Sequence, residues 1–375
     1  MSAPLAKLPR WVDYGLIPLL NLTAALLVSG LVVLLIGENP LEAVYWLVQG
    51  SLGYGEGFGF TLYYTTNFIF TGLAVAVAAH AGLFNIGGEG QAYFAGLGVA
   101  LACLALDRYV PWWVTFPFAL AGGALFGAAW AAIPAYLQAK RGSHIVITTI
   151  MFNFIASAVM AYLLVQVFKQ PGSMQPESRT FEVGGRLPFI HEVLGWMGID
   201  VATSPLNLSF VVALVACLFV WLLIWRTRLG YAIRTFGINP NAAVYAGMNL
   251  SRITIITMMI SGGLAGLMAL NEVMGTQHRL LLDFVTGYGF VGIAVALMGR
   301  SHPVGIIMAS VLFGMLYQGG AELAFEMPKI TRDMIISIQG LVILFAGAME
   351  HMFRPALIRI FTSTRSSGAV GNAEA

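Results

Sequence analysis

Charge is what this sequence has least of. Of 375 residues only 10% are Asp, Glu, Lys or Arg, while 58% are hydrophobic; an ordinary soluble domain is roughly 25% charged. So few charges could not cover the surface of a water-soluble chain this long, which excludes a soluble enzyme. Lysine is scarce too. Lys7, Lys140, Lys169 and Lys329 follow Ala6, Ala139, Phe168 and Pro328, whereas the lysine of an ATP-binding P-loop follows a glycine. The chain therefore has no P-loop of its own, and H-E-x-x-H and G-x-S-x-G motifs are missing as well. Cys103 and Cys217 both sit in apolar runs, which excludes a disulfide framework, a metal site and a redox motif, and leaves them as small packing residues. A net charge of +2 gives no sign of a nucleic-acid partner. Ionisable groups are nearly missing from the apolar runs, Glu89 being the main exception and Glu350 closing the last run. Proton relays and charge-coupled carriers place such groups deep in their spans; a pathway for a neutral polar solute needs none.

What is present is apolar sequence in long blocks. Ten runs stand out: Ile17–Ile36, Phe60–Ala79, Gln91–Leu106, Trp112–Leu137, Ile145–Phe168, Leu206–Trp225, Ile253–Leu270, Phe284–Met298, Pro303–Gly319 and Met334–Met349. About 20 apolar residues cross the hydrocarbon core as a helix. Most runs qualify; Gln91–Leu106, Phe284–Met298 and Met334–Met349 are short. The expected fold is all-α, a polytopic membrane protein of about ten transmembrane helices. The first run is longer than a signal-peptide core and has no small-residue cleavage site after it, so it reads as an uncleaved span.

Basic residues set the orientation. With ten spans and the N-terminus inside, the cytoplasmic segments hold 12 of the 19 basic residues, among them Lys140, Arg141, Arg226, Arg228, Arg234 and Arg252, and the outer segments hold 13 of the 17 acidic ones. Both termini are thus expected in the cytoplasm, with the chain in the cell (inner or plasma) membrane. The expected organisation is one permease-like transmembrane domain over 1–375, with a cytoplasmic N-terminus (1–16), an external loop (169–205), a cytoplasmic loop (226–250) and a cytoplasmic tail (354–375). The 169–205 loop, rich in Pro, Gly and Glu, is either a solvated connection or part of a docking surface for an external partner. Five runs precede it and five follow, so the halves enter the membrane from opposite sides, as in an inverted pseudo-repeat. Gly123-x-x-x-Gly127 and Gly262-x-x-x-Gly266 are the small-residue spacing that lets helix backbones approach in lipid.

Two segments carry polar and glycine signals between apolar runs. In Ala81-Gly-Leu-Phe-Asn-Ile-Gly-Gly-Glu-Gly-Gln91, Gly87, Gly88 and Gly90 oppose a continuous helix. Asn85, Glu89 and Gln91 then belong either to a plain cytoplasmic turn or to a broken-helix element at a translocation pathway. Asn153, inside a run, is a candidate to join them. In Gly237-Ile-Asn-Pro-Asn-Ala-Ala-Val-Tyr-Ala-Gly247, Asn239 suits an N-cap and Pro240 the first helical position. Ala242, Ala243 and Ala246 favour helix and Gly247 ends it. The spacing predicts a short helix on the cytoplasmic face, either a connector or a docking knob. Gly287-x-Gly289-x-x-Gly292 matches a dinucleotide fingerprint only on paper, since it opens an apolar run with no strand before it.

These segments resemble the permease subunits of ABC importers of the branched-chain amino acid, ribose and nucleoside superfamily. The likeness is greatest to the nucleoside or simple-sugar branch that works with basic-membrane-lipoprotein-type binding proteins. It rests on Leu83-Phe-Asn-Ile-Gly-Gly-Glu-Gly-Gln91, Thr148-Thr-Ile-Met-Phe-Asn-Phe-Ile155, the 237–247 segment and Gly287-Tyr-Gly-Phe-Val-Gly-Ile-Ala-Val-Ala-Leu-Met-Gly299. The resemblance implies a type II importer fold in which this chain pairs with a second permease, itself or a relative. It implies a separate ATP-binding subunit that carries ATP and Mg, no cofactor on this chain, and an external solute-binding lipoprotein. Asn239, Pro240, Asn241, Ala242, Ala243 and Gly247 would contact the ATPase, and Asn85, Glu89, Gln91 and Asn153 would line the pathway or hold its broken helix. The expected cargo is a nucleoside or related simple sugar. Another sugar or a branched-chain amino acid is the alternative within that class, although the spans offer no charge pair for a zwitterion. A stand-alone carrier or channel is the alternative outside it.

Overall fold

A computed structural model describes Val12, residues 16–331, 333–341, Leu344 and Ile358. The described residues form helices and contain no strand, only two isolated bridges, Glu177 to Leu281 and Phe189 to Asn207. In chain order the helices are α1 (Ile17–Ile36), α2 (Pro40–Leu52), α3 (Gly55–His80), α4 (Gly88–Leu106), α5 (Trp112–Arg141), α6 (Ile145–Leu163), α7 (Ile190–Trp196), α8 (Ser209–Arg226), α9 (Arg228–Ile238), α10 (Pro240–Tyr245), α11 (Leu250–Gly266), α12 (Tyr288–Met298) and α13 (Pro303–Glu326). Two π-helical stretches extend α6 (Leu164–Phe168) and follow α11 (Leu270–Gln277).

Seven helices among the described residues are long and apolar enough to cross a membrane, or eight if α1 and α2, bent by 116° at their break, count as one span. Among the described residues the expected count of about ten is not confirmed. Tyr288–Met298 has only 11 residues, about 16 Å of helix against a hydrocarbon core of about 30 Å. The second half of Met334–Met349 lies outside the described residues, as do the two termini apart from isolated positions.

The chain divides into two compact units, one of residues 47–319 and one of the segments before and after it. In the terminal unit, Val33, Ala43, Leu323, Met327, Ile330, Ile335 and Ile338 form the core, and Lys329 pairs with Glu38 at 3.1 Å.

In the 47–319 unit, α3 is the central helix. It is mostly buried, its polar Thr61, Thr65, Thr66 and Asn67 included, whereas α5 and α6 bury far less of their length. Those two helices expose Phe118, Leu125, Ile133, Ile147 and Phe154, side chains that lipid accommodates as readily as protein. α5 packs on α11 through the two small-residue motifs, which face each other. Gly123 meets the backbone of Gly266, and Gly127 meets that of Gly262, so a Cβ at Gly127, Gly262 or Gly266 would collide with the opposing helix, and one at Gly123 would be tightly crowded.

The 169–205 segment is not a plain solvated loop. Phe181 and Leu187 are fully buried, and the backbone pairs with the chain leaving the second π-helix: Ser178 N–H donates to Leu280 O (3.0 Å), Phe181 N–H to His278 O (2.7 Å) and Leu187 N–H to Met274 O (3.0 Å). Arg179 closes this cap with a two-pronged contact on Asp107, at 2.7 and 2.8 Å, and donates to Leu104 O. Glu182 N–H adds a bond to the same carboxylate at 2.9 Å. Burial alone would raise the Asp107 carboxyl. The hydrogen bonds from Arg179 and Glu182 and the charges of Arg179 and Arg108 outweigh it and hold the group below the usual carboxylate range. A group depressed in the folded state contributes stability above its unfolded value, about 3.9, and loses it as pH falls through the folded value. The segment 177–187 should therefore resist proteolysis from neutral pH down to about 4 and open below that. In Asp107→Asn it should already be cleavable at neutral pH. Unchanged resistance in the variant would show that the ion pair does not hold the cap.

Candidate functional site

Polar side chains gather where α3, α4, α6 and α11 meet the connector 81–87. The chain leaves α3 at His80, turns through Gly82 at φ +66° and enters α4 at Gly88. Both flanking helices are of span length, so the connector joins two spans and does not interrupt one. It is not an exposed turn either: Asn85 and Gln91 are buried and Asn153 is 8% exposed. Asn85 Nδ2 donates to Gln91 Oε1 (2.9 Å) and Ser261 Oγ (2.8 Å), while its Oδ1 accepts from Gly87 N–H (2.9 Å) and Gln91 Nε2 (3.1 Å). Ser261 donates onward to Ala74 O at 2.6 Å. Asn153 reaches in from α6, donating to Ile86 O (3.0 Å) and accepting from Gly90 N–H (2.9 Å). Asn85 and Asn153 thus replace backbone partners that an irregular segment has lost, as a low-dielectric setting requires, while Gln91 pairs with the Asn85 amide.

Glu89, half-buried in the first turn of α4, points the other way. Its two carboxylate oxygens accept from Gly287 N–H and Gly289 N–H, each at 2.7 Å. Those amides open α12, where an anion also meets the positive end of the helix dipole. The glycines of Gly287-x-Gly289-x-x-Gly292 have packing roles. Gly287 takes φ +88° as the cap of α12, Gly289 lies against the Glu89 backbone, and Gly292 against Thr71. The four residues singled out in the sequence, Asn85, Glu89, Gln91 and Asn153, therefore lie in one assembly around 81–91.

A second polar cluster was missed by sequence reasoning. With the seventh run closed at Leu270, Glu272 falls outside the spans. The π-helix instead carries it onward in a span-length helix, Leu250–Gln277, and it is 2% exposed. Its Oε1 accepts from Tyr63 OH and Asn67 Nδ2, both at 2.6 Å. Neighbouring Asn271 donates to Asn67 Oδ1 (2.8 Å) and Tyr63 O (3.2 Å), and accepts from Asn207 Nδ2 (2.9 Å) and Ser209 Oγ (2.8 Å). The available signal was Asn67 in the middle of an apolar run, a polar group that needs a partner at that depth.

The 226–250 segment folds as its start and stop signals predict. Thr227 caps α9 through Gly230 N–H at 3.0 Å. Asn239 Oδ1 caps α10, accepting from Asn241 N–H (3.0 Å) and Ala242 N–H (3.1 Å), with Pro240 first in the helix. Gly247 follows at φ +76°, with Met248 N–H returning to Ala243 O at 3.0 Å. Asn239, Pro240, Asn241, Ala242 and Gly247 are exposed, beside exposed Ile238, Val244 and Tyr245. Ala243 departs from the expectation of a partner contact. It is fully buried, the foot on which α10 stands. Among the described residues no group of three or more His, Cys, Asp or Glu is placed to hold a metal ion, and Cys103 and Cys217 are buried free thiols.

Residues 57–347 match the family model of the branched-chain amino acid transport system permease component. The chain is 33% identical over 341 residues to the guanosine ABC transporter permease protein NupP of Bacillus subtilis, covering 90% of this chain and 94% of that one. It is 31% identical over 353 residues to the glucose ABC transporter permease protein TsgB13 of Haloferax volcanii, covering 94% and 91%. The nucleoside ABC transporter permease protein NupB of Lactococcus lactis is 31% identical over 320 residues, 85% of each chain.

The Glu272 cluster makes a stability prediction. Glu272→Leu strands the Tyr63 hydroxyl and the Asn67 amide without an acceptor, each at a cost of about 1–3 kcal/mol. Glu272→Gln keeps an acceptor oxygen. In thermal unfolding of the purified protein the Leu variant should melt well below the Gln variant; equal midpoints would remove the hydrogen bonds from the account.

Proposed function

Since the chain belongs to the family of branched-chain amino acid transport system permease components, a family of multi-pass membrane proteins and not of enzymes, we propose that it forms the pathway of an ABC importer for nucleosides or related simple sugars. The observation that carries this reading is similarity along nearly the whole chain to permeases named for guanosine, nucleosides and glucose. ATP, with Mg, is hydrolysed on a separate subunit. A second permease, identical or related, completes the pathway, and an external lipoprotein delivers the solute.

In this reading α10 is the coupling helix. It is short, capped at both ends and topped by Ile238, Val244 and Tyr245, an apolar knob suited to a cleft in the ATPase. Arg226, Arg228, Arg234 and Arg252 around it fit a cytoplasmic position, and both termini belong on that side. Asn239, Pro240, Asn241, Ala242 and Gly247 meet the ATPase, while Ala243 positions them from beneath. Asn85, Gln91 and Asn153 hold the connector beside the pathway. Glu89 ties that connector to α12, so the two elements move as a pair when ATP binding and hydrolysis alternate the access.

The test is purification of the complex through a tag on this chain, followed by ATPase assays with the binding protein and a panel of nucleosides, sugars and amino acids. An ATPase should co-purify and be stimulated by nucleosides or simple sugars. Solute uptake that persists with no ATPase present would mean a stand-alone carrier. Within the same complex, Ala243→Pro places a proline in α10 and a larger ring in a fully buried site. Coupled uptake should fall at least tenfold while the protein still inserts; normal uptake would sink the coupling role of α10.

A further inference from the structure

The last turn of α9 rests on the beginning of the connector. Gly237 lies directly against His80 O and the backbone of Ala81 and Gly82, and Gly82, at φ +66°, faces Gly237 in return. A Cβ at Gly237 would overlap those backbone atoms. Gly237 is not among the glycines at positive φ, so its own backbone does not call for glycine, and glycine weakens a helix against alanine. The close approach is what requires it. α9 is fixed at its other end, where Gly230 lies against Leu223 O and Ile224 O of α8. It continues into α10 through Asn239, whose N–H donates to Thr235 O (3.0 Å) and whose carbonyl accepts from Ala243 N–H (3.2 Å).

Aromatic rings close the same place from the side. Trp225, near the end of α8, sits between His80 and His302, with ring centroids 5.2 and 5.1 Å away. His80 Nε2 lies 3.0 Å from Ser301 O; a carbonyl only accepts, so this nitrogen carries the proton. Ser301 N–H in turn donates to Ala296 O of α12 at 2.8 Å. Arg300 and Ser301 hold consecutive left-handed conformations, φ 51° and 53°, which such residues keep only where their neighbours fix them. α12 is thereby tied at both ends to the segment 80–89, through Ser301 to His80 and through Gly287 and Gly289 to Glu89. Residues 80–82 are the point at which α9, Trp225 of α8, the connector and the turn between α12 and α13 meet.

We propose that the Gly82–Gly237 contact, with Trp225 held between His80 and His302 beside it, carries movement of α10 to the connector 81–87 and to α12. Gly237, Trp225 and His80 are positioning residues in this device. The proposal rests on the reading of α10 as the element that meets the ATPase, and it names the path by which that movement reaches the solute pathway. No side chain separates the two backbones, so a shift of α10 meets no soft layer that could take it up, and close-packed interiors transmit displacement.

The experiment is amide hydrogen exchange on the complete complex in lipid nanodiscs, purified through a tag on this chain, with and without a non-hydrolysable ATP analogue. In the unaltered complex the analogue should change exchange at 239–247 and, by about tenfold, at 83–87. In Gly237→Ala and in Trp225→Leu the change at 239–247 should remain and that at 83–87 should be lost. Trp225→Phe keeps a ring between the histidines and should retain the change at 83–87 to within about twofold. A response at 83–87 that is absent from the unaltered complex, or that survives in both Gly237→Ala and Trp225→Leu, would overturn the role of the contact. So would loss of the response at 239–247 in those variants, since the residues would then hold the docking site and not pass its movement on. A complex in which no ATPase co-purifies, or in which the analogue leaves 239–247 of the unaltered chain unchanged, would overturn the importer reading itself.

Discussion

The contact between Glu89 and the first amides of α12 is the constraint around which the 47–319 unit is arranged. α12 is too short to span, and the first N–H groups at its amino end need acceptors from outside the helix. One carboxylate takes two of them, at Gly287 and Gly289. It can do so only because Gly289 has no side chain to keep the Glu89 backbone away. The start of α4 and the start of α12 are thereby joined through one carboxyl group, and the amides of Asn85, Gln91 and Asn153 fix the other side of the same connector. A permease that moves by shifting whole elements needs such joints, which are strong in low dielectric and specific in geometry.

The Glu272 cluster performs a related task at the far end of α11. It bonds the π-helix to α3 through Tyr63 and Asn67, and to the start of α8 through Asn207 and Ser209. The cap formed by 169–205 attaches to the same stretch through Met274, His278 and Leu280. The backbone leaving the π-helix also holds three non-glycine residues at positive φ, His278, Asp283 and Thr286; Arg300 and Ser301, between α12 and α13, are the others among the described residues. Irregular backbone in this unit thus lies where polar side chains or the cap supply its partners.

Much of this was legible in the sequence. Low charge and long apolar blocks gave the membrane class. Local chemistry gave α10 residue by residue, because Asn-Pro at the start and Gly at the end act through backbone rules that need no tertiary partner. Asn85, Glu89, Gln91 and Asn153 could be picked out as costly groups in an apolar setting. What could not be read was their pairing: that Glu89 reaches residues nearly two hundred positions away follows only from the packing of α4 on α12. The span count was not confirmed among the described residues, because hydropathy registers an apolar run and not its helix length, as at 284–298. Glu272 was missed because a π-helix carried the helix past Leu270, where the uncharged apolar run ends. The opposed pair of small-residue motifs was visible as two motifs, and their facing each other was not.

Amide hydrogen exchange at Gly287 and Gly289, measured on the protein in lipid nanodiscs, tests the joint directly. In the unaltered chain both amides should exchange slowly, as bonded groups do. In Glu89→Ala they should exchange fast while amides within α5 stay protected. Fast exchange at Gly287 and Gly289 in the unaltered chain, or protection that survives loss of the carboxylate, would contradict the account.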